Sequence, residues 1–260
     1  MISSQSYIHP DAKIGKDVEI GPFCYIAANV EIGDGCKIGP HATIYDYVKM
    51  DRECQVFPGA VIGAVPQDLK FEGEETWVEI GARTTIRECA TINRGTAASG
   101  KYKTVVGNDC LIMSYVHIAH DCRVGDHCIF SSFTGLAGET DVDDWAILGG
   151  GALVHQFTHI GAHAMIGGGN TVTKDVPPYV LAGRNPVVFE GINLVGLRRR
   201  GFSNEVISEI KDIYHLVYDG GMTVSLACEK VLEVFPQSDH RDAIISFIKA
   251  SSRGIIKRSV

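Results

Sequence analysis

A large aliphatic residue recurs at every sixth position through most of the chain, and this period strongly constrains the fold. The first run comprises Ile8, Ile14, Ile20, Ile26, Ile32, Ile38, Ile44, Met50, Val56, Ile62, Ile80, Ile86 and Ile92. After a shift of two positions it continues as Val106, Ile112, Ile118, Val124, Phe130, Leu136, Val142, Leu148, Val154, Ile160, Ile166 and Val172. Helices and coiled coils repeat every 3.6 and 3.5 residues, so neither produces this period. We therefore predict a stack of short repeating units.

The residue four places after each aliphatic is small or compact, and glycine often follows the aliphatic directly, as in Ile14-Gly15. The pattern resembles the hexapeptide repeat of left-handed parallel β-helices, in which three hexads form one triangular coil and residues eighteen apart stack. This resemblance predicts a mainly β fold whose interior holds both the aliphatic and the small side chains. About nine coils at ~4.8 Å spacing predict a prism about 45 Å long.

Two segments interrupt the repeat and are predicted to form loops. Residues 64–78 keep the register of the repeat but place Asp68 and Glu74 at aliphatic positions. Residues 97–104 form a second insertion, which accounts for the shift of two positions. Loops on a rigid scaffold commonly carry functional residues, so both segments are candidate parts of a site.

Beyond the last hexads the sequence pattern becomes helical. Ser203 precedes apolar residues at helical spacing that end at Gly220-Gly221, and serine is a favoured N-cap. Further helices are predicted over residues 224–235 and 241–249. We therefore assign residues 1–190 to the left-handed β-helix, and residues 191–260 to a C-terminal α-helical domain that caps its open end.

Composition narrows the classes of function. The formal net charge of −7 disfavours general nucleic-acid binding, which needs a basic surface. The N-terminal MISSQSYIHP has no basic segment followed by an apolar one, and no apolar run approaches the ~20 residues that span a bilayer. We therefore expect a cytoplasmic protein without stable membrane insertion, whose eight cysteines are reduced thiols. No cofactor is expected.

The segment HIAHDCRVGDHC, residues 117–128, suggests a metal site because three histidines and two cysteines lie within twelve residues. The period of six explains the cysteines differently, because Cys122 and Cys128 occupy the inward small position. A free cysteine packs there as a compact hydrophobic residue. A zinc site that used Cys122 would require its thiolate to leave the prism interior. We therefore predict no metal site.

His120 differs from its neighbours because it lies two residues after Ile118, at a position predicted to point outward on a flat face. Steps of eighteen residues lead from His120 to Gly138 and Gln156, so these residues are expected to form one column about 5 Å apart per step. An imidazole can act as a general base on a hydroxyl group, and the Gly138 N–H can stabilise an oxyanion. The arrangement suits acyl transfer, with a solvated or intersubunit histidine as the alternative.

Several motifs resemble the acyl-carrier-protein:UDP-N-acetylglucosamine O-acyltransferase family, which begins lipid A biosynthesis. They include Pro66-Gln67-Asp68-Leu69-Lys70, His117-Ile118-Ala119-His120-Asp121-Cys122, Leu136-Ala137-Gly138, His155-Gln156-Phe157 and Arg199-Arg200-Gly201-Phe202. Hexads alone are weak evidence of function, because many transferases contain them. These motifs at these separations, together with a helical tail, are highly specific, and the match covers nearly the whole chain.

The resemblance implies a homotrimer with active sites in clefts between subunits, an (R)-3-hydroxyacyl chain on acyl carrier protein as donor and UDP-N-acetylglucosamine as acceptor. His120 would remove the proton from the sugar 3-hydroxyl, Asp121 would orient the imidazole, and the Gly138 N–H would hold the oxyanion. The substrate-binding residues that the resemblance implies are Gln67, Asp68, His117, His155, Gln156, Gly168, Asn193 and Arg199. Gly168 matches the position that limits acyl length, and glycine there implies a longer chain.

The sequence departs from the family at two positions, which leaves the acceptor open. Asn93 and Glu139 replace family histidines near the sugar and the acyl chain, so transfer to the 3-amino sugar analogue is an alternative. A γ-type zinc carbonic anhydrase, which uses the same prism, is a less favoured alternative because the motifs and the helical tail fit it poorly. A non-catalytic hexapeptide scaffold is the third alternative.

Overall fold

The computed structural model describes residues 1–258, and its dominant feature is a triangular prism with three β-sheet faces. The chain runs repeatedly from face 1 to face 2 to face 3 and places one short strand on each. Neighbouring coils pair in parallel and set residues eighteen apart side by side, as in Tyr7 and Tyr25. The left-handed parallel β-helix predicted from the period of six is confirmed.

The strands have the following bounds. Face 1 contains β1 (Tyr7–Ile8), β4 (Tyr25–Ile26), β7 (Thr43–Ile44), β10 (Val61–Ala64), β13 (Thr91–Asn93), β16 (His117–Ile118), β19 (Gly135–Leu136), β22 (Leu153–Val154) and β25 (Thr171–Val172). Face 2 contains β2 (Lys13–Ile14), β5 (Val30–Ile32), β8 (Val48–Met50), β11 (Trp77–Ile80), β14 (Lys103–Val106), β17 (Arg123–Val124), β20 (Asp141–Val142) and β23 (His159–Ile160). Face 3 contains β3 (Glu19–Ile20), β6 (Lys37–Ile38), β9 (Gln55–Val56), β12 (Thr85–Ile86), β15 (Leu111–Ile112), β18 (Ile129–Phe130), β21 (Ile147–Leu148), β24 (Met165–Ile166), β26 (Val180–Gly183) and β27 (Val188–Ile192), and its last two strands pair antiparallel.

The interior of the prism is filled by the two residues of each hexad that the sequence assigns to it. Aliphatic residues such as Ile44 and Ile118 are fully buried, and the small positions hold alanine, valine, threonine or cysteine. The buried thiols donate to backbone carbonyl oxygens, as the Cys122 Sγ does to the Ala137 oxygen at 3.3 Å. The prediction that Cys122 and Cys128 are interior residues is confirmed.

Corner turns connect the faces, and many of them use a residue with positive φ. Asp121 has a φ of 60° at the corner between faces 1 and 2, and His127 has a φ of 57° at the corner between faces 2 and 3. We name these corners the 1–2 edge and the 2–3 edge, and the remaining corner is the 3–1 edge. His120 precedes Asp121 in the 1–2 edge, so the expectation that it lies on a flat face is wrong. The turn, and not a strand, sets the direction of its imidazole.

Both interruptions of the repeat leave the prism at the 1–2 edge. The first loop joins β10 to β11 over residues 65–76, and the second loop joins β13 to β14 over residues 94–102. The second insertion ends earlier than predicted because β14 already begins at Lys103. The two loops touch, since Ala97 N in the second donates to Glu74 Oε1 in the first at 2.9 Å.

Four helices follow the prism within the described chain. They are α1 (Leu194–Arg199), α2 (Asn204–Asp219), α3 (Val224–Val234) and α4 (Asp239–Ala250). The Ser203 side chain caps α2 by accepting a hydrogen bond from Val206 N at 3.3 Å, as predicted. Helix α1 shows no apolar period because its six residues make fewer than two turns. Helix α2 packs against β27, so the helical part lies against the last strand of face 3.

We expect Ile44→Ala to lower the free energy of unfolding by about 2–5 kcal/mol, because the side chain is fully buried and the rigid coils cannot collapse on to the cavity. Chemical denaturation measures this change. The matched control is Thr43→Ala on the same strand, where the side chain faces outward and is half-buried. An equal loss in the two variants would contradict the inward assignment of Ile44.

Candidate active site

The centre of the candidate site is a hydrogen-bonded pair on the 1–2 edge. The distance between His120 Nδ1 and Asp121 Oδ2 is 2.8 Å. His120 is 8% exposed and Asp121 is fully buried. Because the carboxylate acts as the acceptor, His120 Nδ1 carries the proton and Nε2 of the neutral ring is left as the base.

The Asp121 carboxylate is held by the second loop. Its Oδ1 accepts hydrogen bonds from Thr96 N at 2.8 Å and Ser99 Oγ at 2.7 Å, and its Oδ2 accepts one from Thr96 Oγ1 at 2.7 Å. The Thr104 hydroxyl accepts a further bond from Asp121 N at 2.8 Å. The sequence reasoning missed Thr96 and Ser99, and the signal that could have found them is their place in an insertion beside the repeat.

Hydrogen bonding and charge set the titration of the pair. The hydrogen bond from His120 to Asp121 raises the pKa of His120 against the opposing effect of burial, and the charges of Asp121, Asp68 and Glu139 add to the rise. Burial acts to raise the pKa of Asp121, but hydrogen bonds from His120, Ser99 and Thr96 outweigh it and lower that pKa. Asp121 is therefore ionised, and the His120 imidazolium is stabilised.

Gly138 lies one coil above His120, as the column of eighteen-residue steps predicts. A Cβ at this position would lie 2.5 Å from His120 Cε1, so only glycine leaves room for the imidazole. Glu139 N donates to the His120 carbonyl oxygen at 3.0 Å, whereas no described residue accepts a hydrogen bond from the Gly138 N–H. A donor without a partner beside an imidazole is suited to an oxyanion.

The first loop brings a second carboxylate to the pair. Asp68 Oδ2 lies 4.0 Å from His120 Nε2, while Gln67 is exposed on the same loop. Asn93 is buried, and its Nδ2 donates to the Val65 oxygen at 2.6 Å, so this departure from the family holds the start of the loop. Asp68 therefore lies on the Nε2 side of the imidazole, and Gln67 precedes it in the same loop.

Of three further predicted residues, His117 lies in β16 on face 1, and His155 and Gln156 lie on the 1–2 edge. His117 Nδ1 is 2.7 Å from Thr91 Oγ1, and burial together with the charge of His120 lowers the pKa of His117. His155 is exposed, and its Nδ1 lies 3.0 Å from the Gln156 carbonyl oxygen. Gln156 follows Gly138 in the column and is half-buried.

The other predicted residues lie elsewhere on the chain. Gly168 is exposed on the 3–1 edge, where a Cβ would lie 3.0 Å from the Gly150 oxygen. Asn193 caps α1 through its Oδ1 and donates from Nδ2 to the His163 oxygen at 2.9 Å. Asn193 and Arg199 line a cavity of about 460 Å³ beside face 3. A single chain therefore does not bring Gly168 and this cavity to His120.

The described residues also bear on metals and membranes. Within residues 1–258, no three histidine, cysteine, aspartate or glutamate side chains meet in a group that could hold a metal ion. In the same part of the chain, no helix combines the length and the apolar character needed to cross a membrane.

The fold, together with the His120–Asp121 pair on one edge, defines a hexapeptide-repeat transferase.

Comparison with known proteins identifies the family. A family described as "Bacterial transferase hexapeptide (six repeats)" matches residues 1–46 and 103–138. A second family, described as "Udp N-acetylglucosamine O-acyltransferase; Domain 2", matches residues 175–256. A protein of Chlorobaculum parvum named acyl-[acyl-carrier-protein]--UDP-N-acetylglucosamine O-acyltransferase is 59% identical over 256 residues, which are 96% of each chain. The chain belongs to the acyl-[acyl-carrier-protein]–UDP-N-acetylglucosamine O-acyltransferase family.

Solved structures agree with this membership. A UDP-N-acetylglucosamine acyltransferase from Bacteroides fragilis superposes with a TM-score of 0.96 at 50% identity, covering 99% of this chain and 100% of that one. The UDP-N-acetylglucosamine acyltransferase of Francisella novicida gives a TM-score of 0.96 at 39% identity, with 99% and 94% covered. The prism and its helical part are thus shared over nearly the full length.

We expect the midpoint of His120 in an NMR pH titration to lie above the ordinary value of 6.5, and Asp121→Asn to move it to lower pH, because the variant removes the charge that stabilises the imidazolium. The pair therefore adds stability that is fully present below about pH 6.5 and is lost as the pH rises through the raised pKa. Asp109→Asn on the 2–3 edge is the control and should leave the midpoint unchanged. An unchanged midpoint in Asp121→Asn would refute the pairing.

Proposed function

We propose that this protein transfers an (R)-3-hydroxyacyl chain from acyl carrier protein to the 3-hydroxyl of UDP-N-acetylglucosamine, the first step of lipid A biosynthesis. The observation that carries the proposal is the His120–Asp121 pair, in which Nε2 lies beside Gly138. Family membership supports it, because the relative at 59% identity is named for this donor and this acceptor. That name also favours O-acyl transfer over transfer to the 3-amino analogue.

The chemistry proceeds in two proton transfers. Nε2 of neutral His120 takes the proton of the sugar 3-hydroxyl while the hydroxyl oxygen attacks the thioester carbonyl. The carbonyl electrons move on to oxygen, and the Gly138 N–H donates a hydrogen bond to this oxyanion. When the tetrahedral intermediate collapses, the C–S bond breaks, the thiolate of the carrier leaves, and His120 returns the proton to sulfur. Asp121 stays ionised and stabilises the imidazolium between the two transfers.

Each of the other predicted residues would contact one of the two substrates. Asp68 and Gln67 would contact the sugar, with support from the 4.0 Å approach of Asp68 to His120. The fixed donors of the Arg199 guanidinium suit the diphosphate, and the cavity that Arg199 shares with Asn193 supports a nucleotide site there. His117, His155 and Gln156 would line the reacting groups, and exposed Gly168 would leave the acyl groove open for a longer chain.

A homotrimer would unite the two parts of this site. In one chain the catalytic pair lies on the 1–2 edge, whereas Gly168 lies on the 3–1 edge and Arg199 lies beside face 3. If neighbouring subunits pack so that these edges meet, each cleft contains both parts. The division of the predicted residues therefore supports an assembly in which the site is completed by a second copy.

The outer surfaces of the faces support the same assembly. From Leu111 onward, the outward column of face 3 is apolar and half-buried, and it comprises Leu111, Ile129, Ile147, Met165 and Leu181. Face 2 instead carries a mostly charged column of Lys13, Glu31, Lys49, Glu79, Val105, Arg123, Asp141 and His159. A contiguous apolar column marks a surface that is covered by protein, here by a second copy of this chain.

We further propose a cytoplasmic location, which eight cysteines without disulfides support.

His120→Ala should lower acyl transfer by at least about 10²-fold, because it removes the general base and leaves only binding and the oxyanion donor. A coupled assay with hydroxyacyl carrier protein and UDP-N-acetylglucosamine measures the rate. The control is His127→Ala, which removes a histidine of the same segment that stacks on Trp145 at the 2–3 edge. Near-normal activity of His120→Ala would exclude the base, and an inactive wild-type protein would exclude the function.

Ile129→Asp should convert the trimer into monomers in sedimentation analysis, because it places a charge in the apolar column of face 3. Activity should fall with the assembly, since each monomer would hold only part of the site. Val105→Asp, in the charged column of face 2, should leave the mass and the rate unchanged. A wild-type protein that sediments as a monomer and is active would contradict the trimer.

A further inference from the structure

Arg94 is a largely buried arginine whose side chain makes no hydrogen bond or ion pair with another described residue. It is 9% exposed, and its Nε atom is buried with no hydrogen-bond partner in the described part of the chain. Burying an Nε–H group without an acceptor opposes folding, and the guanidinium of an arginine keeps its charge in proteins. Some other interaction must therefore stabilise this side chain.

Two aromatic rings supply that interaction. The Arg94 Cζ atom lies 5.2 Å from the ring centroid of Tyr47 and 5.2 Å from the ring centroid of Phe71. Both distances are within the ~6 Å limit of a cation–π contact, which strengthens when water is excluded. A guanidinium is planar and weakly hydrated, so it suits this environment better than an ammonium group.

The two rings belong to parts of the protein with different anchoring. Tyr47 is part of the prism wall, because its N–H donates to the Asn29 oxygen and its carbonyl accepts from Val78 N, both at 2.9 Å. Phe71 is half-buried in the first loop, residues 65–76, which lies outside the repeat. Arg94 therefore connects a fixed wall to the middle of an inserted loop.

The loop segment that Phe71 anchors includes Asp68. Phe71 N donates to the Asp68 carbonyl oxygen at 3.1 Å, so the two residues form one turn. The same turn holds Asp68 Oδ2 at 4.0 Å from His120 Nε2. Arg94 itself lies one coil before His120 on the same edge, because Ile92 pairs in register with Ile118.

Hydrogen bonds hold the first loop near both of its ends, whereas Arg94 contacts its middle through Phe71. At the start, Asn93 Nδ2 donates to the Val65 oxygen at 2.6 Å. Near the end, Glu74 Oε1 accepts from Ala97 N at 2.9 Å. Arg94 also lines a cavity of about 280 Å³ with Tyr45, Asp46 and Val65, so protein atoms do not fill all the space beside this residue.

We propose that Arg94 is a positioning residue whose guanidinium clamps Phe71 of the first loop against the prism and so holds Asp68 beside His120. This inference rests on the proposed function, since Asp68 matters there as a residue that meets the acceptor sugar. Arg94 does not touch the reacting atoms. Loss of the clamp should therefore loosen the loop and weaken sugar binding while the His120–Asp121 pair stays intact.

Hydrogen exchange with mass spectrometry tests the clamp without using activity. In Arg94→Leu, peptides from residues 65–76 should exchange at least about tenfold faster, whereas peptides from β16 to β20 should keep the wild-type rates. Phe71→Leu tests the same contact from a partly exposed loop position and should give the same change. The double variant should exchange no faster than either single variant, because both remove one interaction.

Kinetics test what the clamp does for the reaction. Arg94→Leu should raise the KM for the UDP-sugar about tenfold, which corresponds to about 1.4 kcal/mol, and should change kcat and the KM for the carrier protein less than about threefold. Arg94→Lys keeps the charge over the rings and should recover part of the affinity. The matched control is Arg83→Leu on the 2–3 edge, which removes a guanidinium bonded to Asp109 at 2.7 Å and should alter neither measurement.

The outcomes separate the clamp from the proposed function. Wild-type exchange of residues 65–76 in both Arg94→Leu and Phe71→Leu would overturn the clamp, whatever the activity. A fall in kcat with an unchanged KM for the sugar would also overturn it. If the wild-type protein transfers no acyl chain, the proposed function fails, and accelerated exchange in the two variants would still establish the contact.

Discussion

The closure of one coil in every eighteen residues is the constraint on which the rest of the structure depends. It brings each inward aliphatic on to its counterparts in the neighbouring coils, so residues such as Ile44 and Ile118 form one continuous interior. Because every coil repeats the same three turns, any position in the repeat becomes a column along the prism. The column that contains His120 and Gly138 is a direct consequence, and it places the imidazole against the backbone of Gly138.

The chemistry depends equally on the two places where this regularity is interrupted. The second loop supplies Thr96 and Ser99, which keep the buried Asp121 carboxylate ionised through hydrogen bonds. The first loop brings Asp68 to the Nε2 side of the imidazole. A rigid wall therefore holds the base, while inserted segments tune its charge and meet the substrate. The loops themselves need anchoring, and the contacts of Arg94 with the rings of Tyr47 and Phe71 anchor the first loop without hydrogen bonds.

The faces of the prism share one backbone geometry but differ in the side chains that they present to the outside. Alternating charges on face 2 suit contact with water, whereas the apolar column of face 3 suits contact with protein. Each strand presents one side chain to the outside of its face. The outward residues of successive strands therefore decide which face can pack against another subunit. Gly168 and His120 lie on different edges of one chain. The proposed site is therefore complete only when a second chain of the proposed trimer supplies the other edge.

The sequence by itself determined the prism, its inward residues, the interior cysteines, the two insertions and the main helices, because a period of six and helical spacing are local patterns. It also determined the His120–Gly138 column, since stacking follows from counting residues. Only the tertiary structure decided that His120 lies in a corner turn and that Thr96 and Ser99 surround Asp121. It alone also placed the Arg94 guanidinium over the rings of both Tyr47 and Phe71. These contacts join inserted segments to distant coils, and the path of an insertion has no period from which its partners can be counted.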